Sequence, residues 1–234
     1  IYTRLTNPTT DVLEQRFAAL EGGAAAICTS SGQAASFFAI ANVAEAGDNV
    51  LISDKLYGGS VTLLTYTMKR FGINAKVFKS DDASDLESLI DDKTKAIYFE
   101  SLSNPQIAIP DVEKVVEIAK KHGVLTICDN TVASAALFNP IKWGIDVVVH
   151  STSKYTNGQG TAIGGIVVER DGLAEFFKAN SNRYSHFTTP DESYHGLVYT
   201  DVPLPNFCLR IRLSLLRDIG AVPAPFNSWL LIQT

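Results

Sequence analysis

The sequence is poor in the residues and patterns that mark several classes of protein. It has three cysteines, Cys28, Cys128 and Cys208, and none is paired at a metal or redox spacing. An odd, unpaired set is typical of reduced thiols rather than of a disulfide scaffold. The four histidines form no metal-ligand motif. No apolar run approaches the roughly 20 residues of a membrane span. We therefore expect no metal site, no membrane partner and a cytoplasmic location.

Charge and apolar content narrow the class further. The net charge of −5 gives no basic surface of the kind that binds nucleic acid or anionic membranes. Hydrophobic residues make up 46% of the 234 residues and charged residues 19%, so the chain can bury a large core. The first residues, Ile1 to Arg4, resemble neither an initiator methionine nor a signal peptide, so we expect a segment to precede them.

Short apolar runs alternate with helical patterns along most of the chain. The runs that predict buried strands are 25–28, 49–53, 75–78, 95–100, 124–128 and 145–149. Between them, apolar residues recur at helical spacing, as at Val112, Val115, Val116 and Ala119. This alternation indicates an α/β fold with a mostly parallel sheet flanked by helices. The run 166–169 follows a glycine-rich connection without a helix, so we expect that strand to be antiparallel.

Two further segments carry structural predictions. Leu13, Phe17 and Leu20 recur at helical spacing near the start of the chain, so a first helix should bury all three and end at Gly22. The segment 183–202 is polar and aromatic and has no clear period. Such a composition predicts an active-site loop or lid.

The strand predicted at 145–149 leads into hydroxyl residues and one lysine, Lys154. In open α/β sheets, ligands bind at the carboxyl ends of the strands. A lysine there, beside hydroxyls that can hold a phosphate, indicates a Schiff-base lysine that carries pyridoxal phosphate (PLP). For a single lysine after a strand, an ordinary solvated side chain is the more common explanation.

Asp129 and Tyr57 are two further candidates at strand ends. Asp129 ends an apolar strand, where a carboxylate is costly unless it has a partner. A pyridinium N–H would be such a partner, and a helix cap or turn explains Asp129 equally well. Tyr57 lies in a glycine-flanked loop and either stacks on a flat ligand or packs on the protein surface.

The segment 29–35 predicts a turn between a strand and a buried helix. Its small residues would let the backbone approach a ligand closely, and the new helix offers free N–H groups to an anion. Many strand–helix turns have this composition, so the segment by itself is a weak signal.

Six segments together resemble one family. In chain order they are Tyr2-Thr3-Arg4 with Asn7-Pro8-Thr9, Ser30-Ser31-Gly32-Gln33-Ala34-Ala35, Leu56-Tyr57-Gly58-Gly59, Glu100 with Asn104-Pro105, Asp129-Asn130-Thr131, and His150-Ser151-Thr152-Ser153-Lys154-Tyr155. The sequence is similar to the cystathionine γ-synthase-like, Cys/Met-metabolism PLP enzymes of fold type I. The resemblance implies the large domain of the PLP-dependent transferase (aspartate aminotransferase-like) fold.

The resemblance also implies a cofactor site. Its cofactor-binding residues would be Tyr2, Arg4, Ser31, Gly32, Gln33, Tyr57, Asn104, Asp129, Thr131, Ser151, Ser153 and Lys154, with Lys154 and Tyr57 also catalytic. Lys154 would bind PLP and then act as acid and base. Asp129 would pair with the pyridine nitrogen, Tyr57 would stack on the ring, and Asn104 would lie near the ring hydroxyl.

The remaining implied residues concern the cofactor phosphate. Gly32, Gln33, Ser151 and Ser153 would hold it, whereas the arm with Tyr2 and Arg4 would reach the phosphate of a neighbouring subunit. An active site completed in this way requires a dimer, and the family usually forms a tetramer of two dimers.

Within the family, three segments are most like the enzymes that act on O-acetyl-L-homoserine. They are 192–200, 216–221 and 225–227. The implied reaction is PLP-dependent γ-replacement in methionine biosynthesis, in which sulfide or a sulfur-carrier protein converts this amino-acid substrate into L-homocysteine and acetate. A methionine or cystathionine γ-lyase is an alternative in the same class. A non-catalytic PLP-binding remnant is an alternative of another class.

The resemblance predicts the domain organisation as well. Residues 1–22 would form an N-terminal arm and first helix, 23–218 the PLP-binding large domain, and 219–234 the start of a truncated small domain. The family's arginine for the substrate carboxylate lies in that small domain, beyond the last residue of this sequence.

Overall fold

The computed structural model describes residues 1–234 and contains one seven-stranded sheet. The strands are β1 (Ala25–Thr29), β2 (Asn49–Ser53), β3 (Asn74–Phe78), β4 (Thr94–Glu100), β5 (Leu125–Asp129), β6 (Val147–Ser151) and β7 (Gly165–Glu169). Their order across the sheet is β1-β7-β6-β5-β4-β2-β3. Only β7 runs antiparallel to its neighbours. The predictions of an α/β fold and of an antiparallel 166–169 strand are confirmed.

Helices cover both faces of the sheet. The α-helices are α1 (Pro8–Glu21), α2 (Gly32–Ala41), α3 (Gly58–Thr62), α4 (Leu86–Leu89), α5 (Val112–His122), α6 (Ser134–Leu137), α7 (Leu173–Ala179), α8 (Ser185–Thr188), α9 (Asn206–Arg210), α10 (Arg217–Ile219) and α11 (Pro225–Ile232). Two π-helical segments, Leu63–Thr67 and Ile211–Leu216, continue α3 and join α9 to α10. The 3-10 turns are Met68–Phe71, Pro140–Trp143, Glu192–Tyr194 and Tyr199–Asp201.

The strands alternate between two hydrophobic cores, one on each face of the sheet. In β6, Val147 and Val149 belong to the core that includes residues of α2, α7, α8 and α9. Val148 belongs to the core that includes residues of α1, α5 and α11. Because side chains alternate along a strand, a continuous apolar run fits a strand that is buried on both faces. These runs therefore gave a clear prediction of the sheet.

Helix α1 differs from the prediction at one residue, Leu20. Leu13 and Phe17 are buried as expected, but Leu20 is 50% exposed. The inward stripe ends at Glu21, which is buried, so the helix turns Leu20 toward solvent. Gly22 ends the helix in the left-handed conformation with φ 74°, as predicted.

The segment 183–202 does not form a lid, and that expectation was wrong. Tyr184, Phe187 and Tyr199 are fully buried. The Tyr184 hydroxyl accepts a hydrogen bond from Leu125 N at 2.8 Å and donates one to Lys95 O at 2.7 Å. Both partners lie near the amino ends of their strands. The aromatic side chains thus fix the segment against the core, at the edge of the sheet opposite to Lys154.

Two further observations concern the ends of the chain and its thiols. The helix α11 packs on α1, and the hydroxyls of Ser228 and Thr10 lie 3.1 Å apart in the buried contact. The three cysteines are free and buried. None of the helices has the length and apolar character that crossing a bilayer requires.

Candidate active site

A cavity of about 980 Å³ lies where β1, β4, β5 and β6 end. Its walls include ten of the residues expected from the sequence. These are Ser31, Gly32, Gln33, Tyr57, Asn104, Asp129, Thr131, Ser151, Ser153 and Lys154. Segments that are far apart in the chain meet here because the carboxyl ends of parallel strands share one edge of the sheet.

Asp129 is one of two acidic residues in the cavity wall. Its Oδ1 accepts hydrogen bonds from the Thr131 hydroxyl at 2.5 Å and from Thr131 N at 3.0 Å. Its Oδ2 accepts only one long bond, from the Tyr98 hydroxyl at 3.3 Å. No lysine or arginine is paired with it, and burial raises the pKa of the Asp129 carboxyl. The site therefore holds a carboxylate that a cationic N–H group would stabilise.

Thr131 links Asp129 to the neighbouring strand. Its hydroxyl donates to Asp129 and accepts a hydrogen bond from Ser151 N at 2.8 Å. One side chain thus connects the end of β5 to the end of β6. The motif included Thr131, but only the structure reveals this bridging position.

The turn before α2 provides an anion cradle. Ser31 caps the helix, and its hydroxyl accepts a hydrogen bond from Ala34 N at 3.1 Å. The backbone N–H groups of Gly32 and Gln33 have no acceptor in the chain. A Cβ at Gly32 would lie 2.5 Å from the Ser151 Cβ, so only glycine allows this close approach. Free N–H groups at a helix N-terminus fit a phosphate.

Two of the expected phosphate residues use their side chains for structural contacts. The Gln33 amide donates to Gly59 O at 3.0 Å. This hydrogen bond joins α2 to the start of α3, next to the loop that carries Tyr57. The Ser153 hydroxyl accepts from Gly164 N at 3.0 Å. The Ser151 hydroxyl makes no hydrogen bond within the chain, so it is the free hydroxyl of the cradle.

Lys154 and Tyr57 present their side chains to solvent. Lys154 is exposed, and its Nζ makes no hydrogen bond or ion pair within the chain. Tyr57 is 49% exposed, and its ring packs against Gly59. A Cβ atom on residue 59 would lie 2.5 Å from Cε1 of the Tyr57 ring. An unpaired amine and an uncovered aromatic face are both available to a ligand.

Glu100 lines the cavity, and the sequence analysis gave it no role. It ends β4 as Asp129 ends β5, and the two residues are register partners. Its Oε1 accepts from Tyr57 N at 2.6 Å and its Oε2 from Asn104 N at 3.0 Å. Burial and the nearby Asp129 charge raise the pKa of Glu100 to about 7. The signal that selected Asp129, a carboxylate that closes an apolar strand, applied equally to Glu100.

A buried polar cluster lies at the carboxyl end of β5 and β6. The His150 Nε2 and Glu21 Oε1 atoms are 2.6 Å apart, and Asn130 Nδ2 donates to the same oxygen at 3.0 Å. Both ionisable side chains are almost completely buried. Glu21 is fixed by α1, so the cluster joins that helix to the strand that precedes Lys154.

The structure does not bring Tyr2 and Arg4 to the cavity. Arg4 lines a separate groove, of about 420 Å³, together with Arg212. The Arg4 guanidinium lies over the Tyr2 ring, 5.1 Å from its centre, and donates to Arg217 O. Their expected contact with a neighbouring subunit stays a prediction.

These residues fit PLP. The cavity offers unsatisfied N–H groups for a phosphate, a carboxylate without a cation for a pyridinium nitrogen, and an unpaired lysine. The side chain of Tyr57 leaves one face free for a ring. No group of three or more His, Cys, Asp or Glu side chains lies close enough together to hold a metal ion.

Comparison with known proteins gives the same class. The model of the Cys/Met metabolism PLP-dependent enzyme family matches residues 1–234. The chain belongs to this family, whose cofactor is PLP.

Particular relatives narrow the comparison. The chain is 44% identical over 235 residues to homocysteine/cysteine synthase from Kluyveromyces lactis. The aligned region covers 100% of this chain and 52% of that protein. A solved O-acetylhomoserine (thiol)-lyase from Campylobacter jejuni is 56% identical with a TM-score of 0.97, and covers 100% of this chain and 58% of the other. That structure contains N'-pyridoxyl-lysine-5'-monophosphate.

A third relative has a different activity in its name. Cystathionine γ-lyase from Lactobacillus plantarum is 31% identical with a TM-score of 0.79, over 99% of this chain and 52% of that one. The chain thus spans about half the length of the relatives it matches. The shared half contains the whole cavity described above.

Proposed function

We propose that the full-length protein catalyses PLP-dependent γ-replacement on O-acetyl-L-homoserine. Sulfide forms a new C–S bond at the γ-carbon, the C–O bond breaks, and acetate leaves, which gives L-homocysteine. The observation that carries the proposal is the cavity that joins Lys154, Asp129 and the N-terminus of α2. The 56% identity to O-acetylhomoserine (thiol)-lyase favours this substrate over that of the lyase at 31%.

Each residue of the site has a defined task in this proposal. PLP, when bound, withdraws electrons from the substrate and so permits loss of protons from Cα and then Cβ. Lys154 removes and returns these protons through its amine. Asp129 would accept a hydrogen bond from the ring nitrogen and keep it protonated, and Tyr57 would cover one ring face.

Phosphate binding is divided between the N-terminus of α2 and the carboxyl end of β6. The N–H groups of Gly32 and Gln33 and the hydroxyl of Ser151 bind the phosphate. Ser153 would support them through its contact with Gly164, and Asn104 would lie beside the ring hydroxyl. In a symmetric dimer, Tyr2 and Arg4 complete the phosphate site of the neighbouring subunit.

The organisation of the protein belongs to the same proposal. Residues 1–22 form the arm and first helix, 23–218 the PLP-binding domain, and 219–234 the start of a small domain. The active form is a homotetramer of two such dimers in the cytoplasm, a location that three free thiols favour. Free sulfide is the donor, and a sulfur-carrier protein is the competing donor that an assay can separate.

The test uses the full-length protein loaded with PLP. O-acetyl-L-homoserine is supplied with and without sulfide, and homocysteine and 2-oxobutyrate are quantified. Homocysteine that appears only with sulfide, with little 2-oxobutyrate, supports γ-replacement. Mainly 2-oxobutyrate, unchanged by sulfide, would overturn it in favour of a γ-lyase. A protein that binds no PLP at all would overturn the whole assignment.

A further inference from the structure

The Glu100 side chain joins the two loops that carry ligand-facing residues. The Tyr57 loop follows β2 and the Asn104 loop follows β4, and these strands are neighbours in the sheet. One carboxylate oxygen accepts from Tyr57 N at 2.6 Å and the other from Asn104 N at 3.0 Å. Each loop therefore has its backbone anchored to the same buried group, which is 5% exposed.

We propose that Glu100 is a positioning residue that clamps the Tyr57 and Asn104 loops against the cofactor ring. The inference rests on the proposed function, since it assigns Tyr57 to the ring face and Asn104 to the ring hydroxyl. An ionised carboxylate can accept both bonds, because it has acceptors only. An amide at this position would turn one oxygen into a donor that faces an N–H group, so it would release one loop.

The neighbourhood of Glu100 connects the clamp to cofactor binding. Asp129 is its register partner in β5, and the Asp129 charge disfavours a second negative charge beside it. A ring nitrogen that carries a proton offsets the Asp129 charge. Cofactor binding therefore stabilises the ionised Glu100 and with it both loop contacts.

Glu169 supplies a matched control. It is fully buried, and it also accepts from two backbone N–H groups, Phe207 N at 2.9 Å and Cys208 N at 3.2 Å. Burial raises its pKa to about 7, as for Glu100. However, Glu169 is paired with Val147 at the start of β6, on the sheet edge away from the cavity.

The experiment compares Glu100→Gln with Glu169→Gln in the full-length protein. Amide hydrogen exchange at Tyr57 and Asn104 is measured without cofactor, and the PLP dissociation constant and visible circular dichroism are measured with it. Glu100→Gln should speed exchange at one or both amides and weaken PLP binding about tenfold, the equivalent of one charge-assisted hydrogen bond. It should also change the dichroism of bound PLP, whereas Glu169→Gln should change none of these.

A second variant, Glu100→Asp, keeps the charge but shortens the side chain, and it should shift the same readouts if Glu100→Gln does not fold. Unchanged exchange at both amides, or unchanged dichroism and PLP affinity, would overturn the clamp. If the unaltered protein binds no PLP, the proposed function fails, and the exchange data still decide whether the loops are joined through Glu100.

Discussion

Two aspartates at opposite ends of neighbouring strands differ in how completely the fold pairs them. Asp146 precedes β6, and its Oδ2 accepts from Thr126 N at 2.8 Å and from the Thr126 hydroxyl at 2.9 Å, while Arg170 Nε lies 2.7 Å from Oδ1. Asp129 ends β5 with no cation, and its Oδ2 has only the long bond from Tyr98. The folded chain provides hydrogen-bond partners and a cation for the Asp146 carboxylate. It provides no cation for Asp129 and only one long hydrogen bond to its Oδ2.

This difference in pairing distinguishes a structural carboxylate from one at a ligand-binding site, and it is visible in this chain without comparison to relatives. A structural carboxylate that is buried needs its partners in the folded chain, since an unpaired buried charge is costly. A carboxylate that remains incompletely paired marks a place where bound cations or protonated nitrogens are stabilised. Substitutions of these two residues and of their neighbours test whether this distinction holds.

The largest effect is expected at Lys154, the unpaired amine of the same site. Lys154→Ala removes the acid–base group and the covalent attachment point, so turnover should fall by about 10³-fold or more. Borohydride reduction followed by mass spectrometry should label the unaltered protein with the cofactor and leave the variant unlabelled. Labelling of another lysine at full yield would contradict the assignment.

Asp129→Asn should give the next largest loss. An amide cannot hold the ring nitrogen protonated, so we expect turnover to fall about 10²-fold, comparable to removal of one electrostatic group from an active site. The variant should remain folded, because Asp129 has no internal cation to leave unpaired. Steady-state kinetics and thermal unfolding of the same sample measure both quantities. A variant that is less stable but keeps its turnover per folded molecule would contradict this prediction.

Asp146→Asn should show the opposite pattern. It leaves Arg170 without its carboxylate and weakens the contacts with Thr126, so the free energy of unfolding should fall by about 2–3 kcal/mol. Turnover per folded molecule should stay unchanged, because Asp146 lies at the sheet edge away from the cavity. Urea titrations with parallel assays at low temperature check both statements.

The pH dependence of the cofactor-free protein should distinguish Asp129 from an amide. Burial raises the Asp129 pKa above its ordinary value of 3.8. Its contribution to stability is therefore fully present below pH 3.8 and is lost as the pH rises through the folded-state pKa. Relative to Asp129→Asn, the unaltered protein should become less stable across that range. Free energies of unfolding that change in parallel would contradict the raised pKa.

The neighbouring charges at Asp129 define the controls for this pH measurement. Glu100, Tyr98 and His150 all interact with the Asp129 carboxyl. The Asp129 charge helps to raise the pKa of Glu100 to about 7, so the Glu100 transition should move to lower pH in Asp129→Asn. The same comparison made in a Glu100→Gln background therefore isolates the aspartate.

The sheet and about half of the cavity wall could be predicted from the sequence. Continuous apolar runs identify strands buried on both faces, and residues that follow such strands meet at one edge by topology alone. Lys154, Asp129 and Tyr57 were selected in this way. The hydroxyls before Lys154, Ser153 among them, were selected with it. The family resemblance added Asn104, which no periodicity distinguishes.

Other features depend on contacts that are not local in the chain. The aromatic residues of 183–202 have no single period because they anchor short helical turns joined by irregular backbone. Composition therefore predicted a lid where Tyr184, Phe187 and Tyr199 are buried in the core. Leu20 follows helical spacing, yet Glu21 takes the inward place through His150. The role of Glu100 depends on a loop 43 positions away in sequence.

The hydroxyl of Thr131 sets a spacing that matters for any ligand held at both ends. It fixes the carboxylate at the end of β5 relative to the backbone at the end of β6, where the phosphate residues begin. On the proposed assignment, these two points would face the ring nitrogen and the phosphate of the cofactor. Thr131 would then help to set the distance between the two ends of the ligand, although it need not contact the ligand itself.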